Sequence, residues 1–226
     1  MENAGYRPNI GWMSGLLALV AGFCDTATFV AGRSIFSAHV TGNFIVFAAQ
    51  LATVSRDGAV WARLLTFPVF VAAVIVGGWI VERAEYKRSI LLVEGIVLLL
   101  AGVVAITLPV VGNRGIVVFG VVLTTVVGMG LQNAYGKLFA KDTYGPTTMM
   151  TGNVTIAALG LGRLIREKGK VDEGVRADIR GQRIIIGGFF AGCLIGGVLA
   201  KWLGLGVIVV PGLAIVLCYL RWWGRW

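Results

Sequence analysis

GFCDTATFVAGRSIFSAHVTGNFIVFAAQLA (22–52) lies over GLQNAYGKLFAKDTYGPTTMMTGNVTIAALGLG (130–162), and reading these two stretches as copies of one another decides the fold. Gly22 meets Gly130, Asp25 meets Asn133, and Thr41-Gly42-Asn43 meets Thr151-Gly152-Asn153, with two extra residues in the second linker. Further on, VFVAAVIVGG (69–78) resembles GFFAGCLIGG (188–197), and a basic stretch is inserted ahead of the second copy. Self-similarity of this kind marks a duplication. Two internal repeats are therefore expected, an N-terminal one over 1–112 and a C-terminal one over 113–226.

Composition names the solvent. Hydrophobic residues make up 57% of the chain and charged ones 14%, and mean hydropathy is +0.84, far from the mixture of a water-soluble domain. A helix needs about 20 apolar residues to cross the hydrocarbon. Spans are expected near 10–32, 64–82, 89–109, 114–138, 183–202 and 205–222, with two shorter apolar segments at 37–54 and 147–163 that carry the TGN motifs. The fold class is thus an all-α, polytopic membrane helix bundle of eight apolar segments. The first segment is no export signal, because no soluble part follows it. Cys24, Cys193 and Cys218 sit in apolar segments without CxxC spacing, so neither a disulfide framework nor a metal site is expected.

A net charge of +9 would suggest nucleic acid in a soluble protein, but here the basic residues lie in the connections and set orientation instead. GRLIREKGKVDEGVRADIRGQR (162–183) holds seven Lys or Arg against four acids, which puts it in the cytoplasm. The RWWGRW tail belongs there too, and so does the N-terminus. If both TGN segments cross fully, eight crossings leave 13 basic residues inside and 7 outside, and the halves run parallel. If both dip in and return, six crossings give 15 against 5, and the halves are inverted. Re-entrant segments need protein or water to satisfy their backbone. Eight crossings are therefore the expectation, although the charge bias leans the other way.

Asp25 falls well inside the first span, where a carboxylate costs about 2.5–3.5 kcal/mol on insertion scales and normally faces the bundle interior or water. It is the leading candidate for carrying a proton; the structural alternative is a carboxyl that pins helices together. Thr41, Gly42 and Asn43, with Thr151, Gly152 and Asn153, supply hydroxyls, bare backbone and carboxamides. Such groups can line a polar path or hold helices together. With Asp25, Gln132 and Asn133 they form the expected solute-binding set. His39, the only histidine, has an ordinary pKa near about 6.5 and is a second candidate for proton coupling. Arg33 is expected to snorkel outward, and Glu94 to pair with Lys137 or reach headgroups. Gly188, Gly192 and Gly196 make a smooth ridge for close helix packing. Pro68, Pro109 and Pro211 are expected near span ends.

Duplicated transporters hold their site between the repeats near the midplane. A small-solute transporter or channel is the functional expectation, and a non-transporting structural or interaction protein is the alternative. An enzyme is not expected: one histidine cannot furnish the usual metal clusters, and GxSxG, P-loop and HExxH patterns are missing. No catalytic residue, metal ligand or cofactor is assigned. The expected partners are the lipid bilayer and an unknown small solute, with no nucleic acid; a homo-oligomer stays open.

On Gly22, Asp25, Phe36, Thr41-Gly42-Asn43, GLQNA (130–134) and the second TGN, the sequence resembles the YoaK family of small bacterial membrane proteins, over nearly the full chain. That resemblance implies a helical protein of the bacterial inner membrane and supplies no substrate or reaction. Histidine at 39 departs from the small amide that the resemblance implies before this TGN.

Overall fold

The computed structural model describes residues 10–53, 59–84, 88–108, 114–140 and 142–223. Among these the regular structure is helical throughout: α1 (Ile10–Ala31), α2 (Gly42–Ala52), α3 (Ala59–Arg83), α4 (Ser89–Thr107), α5 (Arg114–Leu138), α6 (Met150–Arg166), α7 (Glu173–Leu203) and α8 (Val209–Cys218). A 3-10 turn, Gly204–Ile208, joins α7 to α8. Five stretches are long and apolar enough to cross a bilayer: Ile10–Ala31, Arg63–Arg83, Ser89–Thr107, Gly115–Leu138 and Glu173–Arg221, the last holding both α7 and α8. Trp12, Leu100, Ile116, Phe190, Trp202 and Leu220 are exposed on the outside, an apolar surface suited to acyl chains.

Glycine sets how closely the helices approach. Gly188, Gly192 and Gly196 of α7 abut the backbone of Gly15, Leu19 and Phe23 on α1, so the expected ridge is present. Each four-residue step on α7 matches one on α1, and the two helices therefore run parallel. α3 and α5 also run parallel, with Gly130 against Phe70 and Ala73, and Gly77 against Leu131 and Ala134. The Gly22 backbone meets Phe189 as the Gly130 backbone meets Phe70. α5 is antiparallel to α1, since Gln132 reaches Leu17 and Tyr135 reaches Met13. α4 and α8 are antiparallel, with Gly95 against Ile215 and Val216 and Gly102 against Val209.

The TGN helices do not traverse this bundle. Taking the Ala31 end of α1 as the upper end, Arg63 of α3 donates from Nη2 to the Arg33 carbonyl at 2.7 Å, so α1 ends and α3 begins at one level. Between them the chain drops back until the amides of Ala38 and His39 reach Asp25, nearly two turns below the end of α1. α2 then climbs beside α3, Phe44 against Phe67 and Phe47 against Trp61, with ring centroids 5.4 and 5.2 Å apart. At the lower end, the Tyr144 amide donates to Ser14 Oγ at 3.2 Å. The chain rises from there to bring Thr147 and Thr148 to Gln132 and Asn133, and α6 descends again with Gly160 against Ile179 of α7.

This geometry corrects the expectation of full crossings. Segment 37–54 looks long enough because its apolar count includes irregular chain, whereas the helix α2 has 11 residues and spans about 16 Å, half the hydrocarbon core; segment 147–163 is mostly the 17-residue helix α6, which starts beside Asn133 and runs outward to Arg163 and Arg166. Further corrections are local. The basic stretch 162–183 is mostly helix, because Asp172 caps α7 by accepting from the Val175 amide at 2.9 Å, leaving 167–172 as the connection. Pro68 stands inside α3 instead of near its end. Arg33 is exposed as expected, but its φ of 62° marks a tight reversal after α1. Pro109 and the end of the RWWGRW tail lie outside the described residues.

Candidate functional site

Each dipping loop is tied to the helix before it and to the helix after it. In the first, Asp25 Oδ1 accepts from the amides of Ala38 (2.7 Å) and His39 (3.2 Å). Two amides aimed at one carboxylate oxygen make charge-assisted bonds, stronger than neutral ones. Asn43, fully buried at the start of α2, pairs with both backbone groups of Phe36: its Oδ1 accepts from Phe36 N at 2.8 Å and its Nδ2 donates to Phe36 O at 2.8 Å. The same Nδ2 donates to Thr66 Oγ1 of α3 at 3.0 Å, and Thr66 in turn donates to Arg63 O. Gly42 lets this fold close, since a Cβ there would lie 3.1 Å from the Phe36 ring.

The second loop repeats the plan with neutral groups. Asn133 Nδ2 donates to Thr148 Oγ1 at 2.7 Å, and Asn153 Nδ2 donates to Pro146 O at 2.7 Å. Pro146 aligns with Phe36 and has no amide hydrogen, so the reciprocal bond made by Asn43 is lost here. Gln132, fully buried, donates from Nε2 to Leu17 O (2.7 Å) and Thr147 Oγ1 (2.8 Å), tying α5 to α1 and to the loop. Gly152 is exposed with open space at its Cβ position, so close packing does not require glycine there.

Between the loop tips lies a cavity of about 280 Å³. Its walls include His39 and Thr41 from the first loop, Asn133, Thr148 and Thr151 from the second, and Phe70 from α3. Both TGN motifs thus meet at one place, with α2 and α6 both starting from it. Helix starts carry partial positive charge and favour an electronegative group. The expected site set divides in two. His39, Thr41, Asn133 and Thr151 line the cavity, whereas Asp25, Asn43, Gln132 and Asn153 hold its walls. Thr66, Thr147 and Thr148 share that holding role and were not expected; the hydroxyl pair in PTTMMTGN was the available signal. Glu94 neither pairs with Lys137 nor reaches headgroups: it is fully buried, while Lys137 is exposed.

Apolar helices that bury their polar groups inward and expose Leu, Ile, Phe and Trp outward define a multi-pass membrane protein. Residues 13–220 match the family described as "Protein of unknown function (DUF1275)", and the chain belongs to that family. No match emerges among curated proteins, and none among solved structures.

Proposed function

We propose that this protein is a transporter or channel for a small solute in the bacterial inner membrane, built from two duplicated halves of inverted orientation. In this reading α1, α3, α4, α5, α7 and α8 cross, while α2 dips in from outside and α6 from the cytoplasm. The matched contacts of Gly22 with Phe189 and of Gly130 with Phe70 support the duplication. The charge split of 15 to 5 supports a cytoplasmic lower end that holds both termini. Within the family, the YoaK resemblance rests on the residues quoted above.

One observation carries the transport reading: Thr41 and Thr151, from opposite halves, line a single cavity. That is where inverted-repeat transporters hold their substrates. Among the described residues the lining has hydroxyls, an amide and an imidazole between aromatic and methionine side chains, without lysine, arginine or a carboxylate. It suits a small, mostly neutral solute. Asp25 supplies proton coupling as a latch: a proton on its carboxyl weakens the bonds to Ala38 and His39 and loosens the loop that walls the cavity. His39 exchanges the proton with the cavity.

Purified protein in liposomes, tested with a panel of small neutral metabolites, examines this directly. Wild type should move at least one solute, and Thr41→Val with Thr151→Val should abolish the movement. A wild-type protein that moves none of them removes the reading. A structural or interaction role is the second reading, favoured because the donors of Asn43, Asn153 and Gln132 are all engaged within the chain. It predicts that Asn43→Leu lowers thermal stability while no solute moves at all.

A further inference from the structure

Glu94 has no place in the site described above. It lies on α4 in a buried stripe with Leu91, Leu98 and Ala101, is fully shielded, and neither carboxyl oxygen has a hydrogen-bond partner among the described residues. An ionised carboxylate in such surroundings is far costlier than a neutral acid. One neighbour offers it a matching group. Leu98 packs on Gly128 of α5, so one antiparallel turn brings Glu94 level with Gln132. Gln132 Oε1 is also buried and without a donor. One proton converts this pair of orphan acceptors into a donor and an acceptor.

Other titratable groups lie around it. From α1, Cys24 lies within electrostatic reach of both Glu94 and Asp25. From α5, the buried Tyr135 hydroxyl donates to Met13 Sδ at 3.5 Å and lies within electrostatic reach of Arg88, Asp142 and Glu94. Arg88 and Asp142 form a 3.3 Å ion pair at the lower end. α8 presents Gly212, Ile215 and Val216 to α4 and carries the buried Cys218 near the level of Glu94, followed by the buried Tyr219, and the 3-10 turn Gly204–Ile208 has no titratable side chain. α3 meets α4 through Gly77 on Ile90, with Glu82 and Arg83 below that contact at its lower end.

We propose that Glu94 is a proton-binding site in the core of the bundle, distinct from Asp25 and placed between the Arg88–Asp142 pair and the Asp25 latch. The site stands on its own geometry; its coupling to a solute rests on the transport reading above. Dicyclohexylcarbodiimide, an apolar reagent, tests it. Its central carbon adds to a carboxyl oxygen while a nitrogen takes the carboxyl proton, so only protonated acids within its reach react. Wild-type protein in detergent, digested and examined by mass spectrometry, should carry the adduct on Glu94 at neutral pH. Labelling should fall roughly tenfold for each pH unit above half-titration. Asp25→Asn should keep the adduct, Glu94→Gln should lose it, and sodium should leave it unchanged. An adduct confined to Asp25, no adduct on Glu94, or protection by sodium would overturn the assignment, the last in favour of a metal cation. An adduct on Glu94 in a protein that moves no solute keeps the proton site and removes transport; solute movement with Glu94 unlabelled does the reverse.

Discussion

The two dipping loops share a plan and differ in what fastens them. In the N-terminal half a carboxylate accepts from two backbone amides and Asn43 bonds to Phe36 twice; in the C-terminal half a side-chain amide donates to one hydroxyl and Asn153 bonds to Pro146 once. Charge-assisted bonds are stronger, and they respond to protonation as neutral ones do not. In the proposed transport cycle the C-terminal loop is then a fixed wall and the N-terminal loop the one that a proton can release. The helices follow suit: α2 is short and apolar, whereas α6 runs on to Arg163 and Arg166 beyond the level of the cavity.

Matched substitutions in the two halves test that difference, all read as thermal unfolding in detergent. Gly22→Ala is expected to be the most damaging, by about 3 kcal/mol or more, because the new Cβ runs into the Phe189 carbonyl. Gly130→Ala meets Ala73 Cβ at 2.6 Å and should cost about 2 kcal/mol. Next come the anchors. Asp25→Ala leaves two amides without their acceptor and should cost about 3 kcal/mol, against about 1 kcal/mol for Asn133→Ala. Equal losses would break the asymmetry. Asn43→Ala should cost about 2 kcal/mol and Asn153→Ala about 1 kcal/mol, following the bonds each makes. Thr66→Val, which removes one partner of Asn43 and leaves the Phe36 pair in place, should cost no more than either C-terminal anchor, about 1 kcal/mol.

Much of the scaffold is legible in the sequence. The glycine ridge reads directly, since small residues at four-residue spacing have few other uses in an apolar helix. The meeting of the two TGN motifs also follows from their alignment. What does not follow is the path of the chain around them. Hydropathy cannot separate a helix of 18 residues from an irregular descent followed by a helix of 11, and the bonds that hold the descent link residues such as Asp25 and Ala38 across 13 positions. The duty of each polar residue is equally hidden. Asn43 and Thr41 are two residues apart, yet one is turned inward to hold the loop and the other faces the cavity. Glu94 looks like a residue near a helix end, and only the packing of α5 and α8 on α4 reveals its burial.

The central claim is that each TGN segment enters and leaves at its own end of the bundle, the first at the upper end and the second at the lower end. Single cysteines at Thr53 and Ser89, introduced after removal of the three native cysteines and treated with a membrane-impermeant maleimide on intact cells, test it most directly. Labelling is expected at 53 and none at 89. Labelling at 89 with none at 53 would mean that α2 crosses, and the inverted arrangement would fall.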